Sequence, residues 1–208
     1  MNQLRFSAKI RHLTVSITVI ALLATTLVTL TRVTPAKAAG GTGTWGSWTV
    51  SSKTAGSLNL NVAGFTSPSA TFTTNATGLS LASGANTWLN EGTLPGAEYG
   101  TSRNNGYLSM GTATSGADST TTFTFLGNTP TSGWSFALGD IDADAVTITA
   151  LDGLGNPVNV AGWTVTPFNY CNNTTPRPTS CAAVSTDMPT WNAGTATVTG
   201  TGNDTDGA

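Results

Sequence analysis

Short alternations of apolar and polar residues, broken every few positions by Gly, Asn, Pro or Asp, run through this chain from about residue 44 onward. In Thr120-Thr121-Thr122-Phe123-Thr124-Phe125, the phenylalanines fall on one parity and the threonines fill the other. That is the signature of a strand with one buried face. The same pattern, rich in Thr, Val, Phe and Trp, predicts strands at 44–50, 57–62, 69–74, 120–126, 134–138, 145–151, 158–166 and 195–199. Gly127-Asn128-Thr129-Pro130 and Asp152-Gly153-Leu154-Gly155-Asn156-Pro157 read as turns. Helical periodicity is found only near the N-terminus. The expected class is therefore all-β, a two-sheet antiparallel β-sandwich of jelly-roll type preceded by a helical signal segment.

That N-terminal segment has the layout of an export leader. Arg5, Lys9, Arg11 and His12 precede an uncharged stretch at 13–31, and Ala36-Lys37-Ala38 supplies a small-residue cleavage pattern. The expected cut lies between Ala38 and Ala39, with an uncleaved membrane anchor as the alternative, since 13–31 is long enough to span a bilayer. On either reading the rest of the chain lies outside the cytoplasm. This gives a signal peptide at 1–38 and one β-domain at 39–208.

Removing the leader changes the charge. Lys53, Arg103 and Arg177 remain against all 10 acidic residues, a net charge of −7. So few and scattered cations make no phosphate-binding stripe, which argues against nucleic acid or an anionic membrane surface as partner. His12, the only histidine, leaves too, so the mature chain cannot build a His-dependent nucleophile or a His-ligated metal site. Cys171 and Cys181 flank a polar loop with Pro176 and Pro178, and in an exported protein they are expected to form a disulfide. The only glutamates, Glu91 and Glu98, sit in a Pro-Gly loop, and glycosidase chemistry would need one of them to face another carboxylate across a cleft. Surface positions are the simpler reading for them.

The densest chemistry is Asp140-Ile141-Asp142-Ala143-Asp144, between the strands expected at 134–138 and 145–151. One unbroken strand would put three carboxylates on its apolar face, so a turn is required there. It is not an EF-hand: position six is Ala145 instead of Gly, and position twelve is Leu151 instead of Glu. Two readings stand. Asp140, Asp142 and Asp144 bind calcium, with backbone carbonyls or a distant carboxylate such as Asp152 completing the shell. Alternatively, turn N–H groups and water satisfy them. Trp45, Trp48, Trp88, Trp134, Trp163 and Trp191 are either core or a sugar-stacking platform, with Trp88, Trp191 and one of the first pair as the rings expected to be exposed.

The blocks Thr122-Phe123-Thr124-Phe125, Gly133-Trp134-Ser135-Phe136-Ala137-Leu138-Gly139-Asp140-Ile141-Asp142-Ala143-Asp144-Ala145-Val146 and Asp152-Gly153-Leu154-Gly155-Asn156-Pro157-Val158 resemble a module of exported bacterial proteins. Phe168-Asn169-Tyr170-Cys171, Cys181 and the acidic 204–208 segment are similar to its later blocks. The resemblance covers about residues 120–208. It implies a β-sandwich near the N-terminus of Gram-positive surface proteins, ahead of Cna-B or SdrD-B-like repeats and a wall-anchoring signal. It implies nothing about activity. Such a module continues past the equivalent of Ala208, so the chain is expected to be C-terminally truncated. The expected function is non-catalytic adhesion or display at the cell surface toward an extracellular protein or glycan. A carbohydrate-binding module is the alternative, and a glycan-active enzyme stands behind both.

Overall fold

The computed structural model of the chain describes residues 3–8, 43–64, 67–113, 117–130, 132–163, 165–171, 176–181 and 187–201. The apolar leader stretch 13–31 and the cleavage motif at 36–38 lie outside these residues. Among the described residues no helix is long and apolar enough to cross a membrane.

The chain is all-β, and among the described residues every strand pair is antiparallel. In chain order the strands are β1 (Gln3–Ala8), β2 (Ser47–Ser52), β3 (Ala55–Asn59), β4 (Ala70–Thr74), β5 (Ser80–Ala82), β6 (Tyr107–Ser109), β7 (Ser119–Phe125), β8 (Ala145–Leu151), β9 (Pro157–Val158), β10 (Thr190–Asn192) and β11 (Thr197–Thr199). One short helix, α1, spans Leu94–Tyr99. The large sheet runs β10-β11-β8-β1-β7-β4-β3-β2, with β9 pairing the end of β8. β5 and β6 form a separate ribbon. Leu79 and Leu108, beside and within that ribbon, reach the main core. Where two full sheets were expected, the described residues therefore hold one large sheet with a ribbon and loops over its apolar face.

Alternation explains which residues meet. In β7, Thr121, Phe123 and Phe125 are buried while the threonines between them are half-exposed. In β4, Ala70, Phe72 and Thr74 are buried while Thr71 and Thr73 are exposed. Pairing sets Phe72 against Phe123 and Ala70 against Phe125. The Phe72 and Phe123 rings lie 5.6 Å apart, and Trp48 of β2 closes on them at 6.1 and 5.8 Å. Gly56 of β3 faces Phe72, and any Cβ there would meet both that ring and the Thr49 carbonyl. The buried hydroxyls of Thr74 and Thr121 are 2.8 Å apart, so two polar side chains satisfy each other inside the core. On β8, Ile148 and Ala150 join the same cluster, while Val146 starts a smaller one with Ile141 and Val198.

Three expectations are corrected. Gln3–Ala8, at the head of a segment expected to be helical, is a strand between β7 and β8. Its Gln-Leu-Arg-Phe-Ser-Ala sequence alternates with period two, which suits a sheet. Residues 134–138 are not a strand, although β7 and β8 on either side are. The strand expected at 158–166 shrinks to β9. Asn159 then caps a 3-10 turn, Val160–Gly162, with its side chain accepting from the Ala161 N–H at 3.0 Å.

Phe72→Ala should cost about 3–5 kcal/mol of unfolding free energy in urea, the range for an aromatic removed from a packed core. Thr73→Ala on the open face should stay within about 0.5 kcal/mol. Similar losses for the two would mean that β4 does not face the core in this way.

Candidate functional site: the acidic turn and the disulfide loop

The acidic turn is held from both ends. Ile141 is buried against Val146 and Val198, which pins the middle of the turn to the sheet. The Gly200 N–H, just past β11, donates to the Asp144 carbonyl at 2.9 Å. The Ile141 and Asp142 carbonyls come so close to Gly200 that a side chain there could not be accommodated. Asp140 adopts a left-handed backbone, φ 64°, which a short polar side chain tolerates better than most. Within this loop Asp140 is exposed, Asp142 is buried at 5% exposure and Asp144 lies between them.

Tyr170 lies next to this turn. Burial pushes its phenol up to about 12, and the nearby charges of Asp140 and Asp142 add to the rise. The expected disulfide is present in the next position. Cys171 and Cys181 are joined at 2.02 Å, with Cα atoms 5.4 Å apart. Tyr170, Cys171 and Cys181 form a small core against Leu89 and Phe168. The Ser180 N–H donates to the Asn86 carbonyl at 3.1 Å, and the Thr179 hydroxyl lies 3.1 Å from Asn86 Oδ1. The disulfide loop is thus tied to the 86–89 segment, with the Tyr170 phenol within electrostatic reach of Asp140 and Asp142.

The other candidates are placed differently. Asp152 accepts from the Leu154 and Asn156 N–H groups at 2.8 and 2.9 Å and from Asn156 Nδ2 at 3.1 Å. The Asn156 side-chain bond, followed by its backbone N–H, holds this carboxyl below its usual range. It shapes the β8–β9 turn. Among the described residues no three Asp, Glu, His or Cys side chains gather into a metal-holding group. Glu91 and Glu98 are both exposed, on either side of Thr93, whose hydroxyl accepts from the Gly96 N–H at 3.2 Å to cap α1. Glu98, but not Glu91, borders a shallow groove of about 280 Å³ lined by Leu94, Tyr99, Phe136, Thr166 and Phe168 among others. A second notch, between β8, Val160 and the β10–β11 turn, has no titratable lining group.

None of the six tryptophans is an exposed ring. Trp88 is 4% exposed, with the Arg103 guanidinium 5.1 Å over its ring. Its indole N–H has no partner among the described residues. Trp191 packs against both main clusters. Trp45 donates to the Gly100 carbonyl at 3.2 Å and meets Tyr99 edge-on at 5.7 Å.

Sequence reading missed Tyr170 and the groove. Tyr170 carries no local signal, because only the fold brings it to the turn. The groove had one: Thr93-Leu94-Pro95 is a capped helix start with proline in the first turn. Comparison with protein-family models, with curated proteins and with solved structures found no match to this chain.

Tyr170 makes stability depend on pH in a defined window. Between pH 10, where an unfolded tyrosine loses its proton, and about 12, the folded chain keeps a proton that the unfolded chain releases. Stability must therefore be complete below pH 10 and fall as pH rises through the window. Tyr170→Phe should remove that slope in urea titrations at stepped pH, and an unchanged slope would place the phenol in water.

Proposed function

We propose that this chain is a non-catalytic module of the bacterial extracellular surface, exported behind its leader and serving adhesion or display. The observation that carries the reading is the two-sided sheet. Its inner face is spent on aromatic packing, and its outer face carries rows of hydroxyls, with Arg5 of β1 at the register position between Thr122 and Thr149. Thr71 stands against Thr124 and Thr73 against Thr122, while Thr147 and Thr197 lie 3.0 Å apart by their hydroxyls. Such a face suits contact with another surface. The disulfide supports an oxidising compartment, and the resemblance to Gram-positive surface modules points the same way.

Calcium belongs to this proposal as a structural ion at Asp140, Asp142 and Asp144. Supporting it is the burial of Asp142 within a run of three carboxylates at alternate positions. The thermal midpoint should rise with calcium, saturate, and return to the EDTA value in Asp142→Asn. A midpoint indifferent to calcium removes the ion from the account.

One observation favours carbohydrate binding as a second reading. The groove beside α1 combines the rings of Tyr99 and Phe168 with the Glu98 carboxylate and the Thr166 hydroxyl. Retention on a panel of polysaccharides, with reducing ends measured in the same samples, separates the readings. Display, or adhesion to a protein, predicts neither retention nor new ends. Retention weakened about tenfold by Tyr99→Ala would establish the binding module, since that is the scale of one lost aromatic contact. New reducing ends abolished by Glu98→Gln would overturn the non-catalytic reading.

A further inference from the structure

β7 and β8 both run antiparallel to β1, so they run parallel to each other with one strand's width between them. The strand filling that place belongs to the leader. If the leader is removed at the expected cut between Ala38 and Ala39, the middle of the sheet opens. Two strands facing an empty place would leave rows of N–H and C=O groups unpaired beside the core. We propose that in the processed chain residues 134–138 enter this place as the strand between β7 and β8, and that the leader strand holds the precursor with this segment displaced. This rests on the export reading, and the experiment below separates the two.

The alternation fits. In the structure, Leu4, Phe6 and Ala8 hold register positions opposite Phe123 and Ala150, Thr121 and Ile148, and Ser119 and Val146. All six partners are buried. Trp134, Phe136 and Leu138 repeat the same spacing and would take those three positions in turn. Ser135 and Ala137 would then fall opposite the threonine columns, Thr122 with Thr149 and Thr120 with Thr147.

The connectivity also fits. Residues 134–138 already lie between the end of β7 and the start of β8 in the chain. A strand descending from the Phe125 end of β7 and returning up β8 is a plain antiparallel meander, the shortest path available. It leaves 139–145 as the hairpin loop and puts the three aspartates at the end of the sheet. In the leader-bound arrangement the segment makes no strand, Ser135 and Ala137 are exposed, and Phe136 is 38% exposed beside Trp134 and Trp163.

No other stretch competes. Trp163 and Val165 alternate in the same way, but they follow β9, which pairs along the edge of β8 away from β1, and Pro167 interrupts them. By sequence, Ala182-Ala183-Val184-Ser185-Thr186 has no large apolar residues at alternate positions, and 202–208 is polar. The exchange has a cost elsewhere. It withdraws Ser135 and Phe136 from the groove beside α1 and takes Gly133 from the Tyr99 hydroxyl, 3.4 Å away.

The test is amide hydrogen exchange on the purified full chain, before and after cutting by signal peptidase. Before the cut, amides of 3–8 should be protected and those of 135 and 137 fast. After it, protection at 135 and 137 should rise by about a hundredfold, as for a strand central in a sheet. Ser135→Pro removes an N–H that this strand needs, so it should leave the uncut chain unchanged and block the gain after cutting. A cut chain in which 135 and 137 stay fast overturns the inference and leaves the export reading standing. A place filled instead by concentration-dependent dimerisation overturns it equally. A chain that signal peptidase does not cut overturns the inference, because the leader strand then keeps its place, while export behind an uncleaved anchor still stands.

Discussion

Continuity of the sheet between two parallel strands is the constraint on which the rest of this molecule depends. β7 carries Phe123 and Phe125, and β8 carries Ile148 and Ala150, yet all four belong to one core. They do so only because a third strand, antiparallel to both, bridges the space between them. Without a bridging strand, the aromatic cluster on β2, β4 and β7 would be separated from the aliphatic cluster on β8 and β11. Backbone pairing therefore decides how much apolar surface one core can cover.

The acidic turn inherits its position from this constraint. It lies in the connection entering β8, pinned by Ile141 on one side and by Gly200 on the other. The disulfide core holds Tyr170 within electrostatic reach of Asp140 and Asp142, so the turn's position follows from the strand pairing and its charge is felt by this buried phenol. That arrangement is suited to organising a surface. The hydroxyl face of the sheet and the groove beside α1 are what such a surface would present.

Much of the fold was legible because alternation was strict and bounded by turn residues. β8 matches its expected limits, and β4 and β7 do so within a residue, since buried and open positions follow parity in each. The disulfide was legible from two cysteines flanking a short polar loop in a chain read as exported. β1 was not, because a basic, leader-like context outweighed the alternation of Leu4, Phe6 and Ala8. Residues 134–138 satisfied every local rule for a strand, yet β1 holds the place their pattern matches. Tryptophan exposure was illegible for a different reason. Trp88 and Trp191 sit in turn-rich sequence, and only tertiary partners decide that they are covered. Asp152 was a candidate ligand by proximity in sequence, but its own turn uses it first.

The central claim is that the place between β7 and β8 must always hold a strand, supplied by the leader before processing and by residues 134–138 afterwards. The most direct measurement is a set of cross-strand backbone NOEs in the processed chain. The account predicts contacts from Ser135 to both Thr122 and Thr149, and from Ala137 to both Thr120 and Thr147. A folded processed chain in which β7 and β8 contact each other directly, or in which neither contacts this segment, would contradict it.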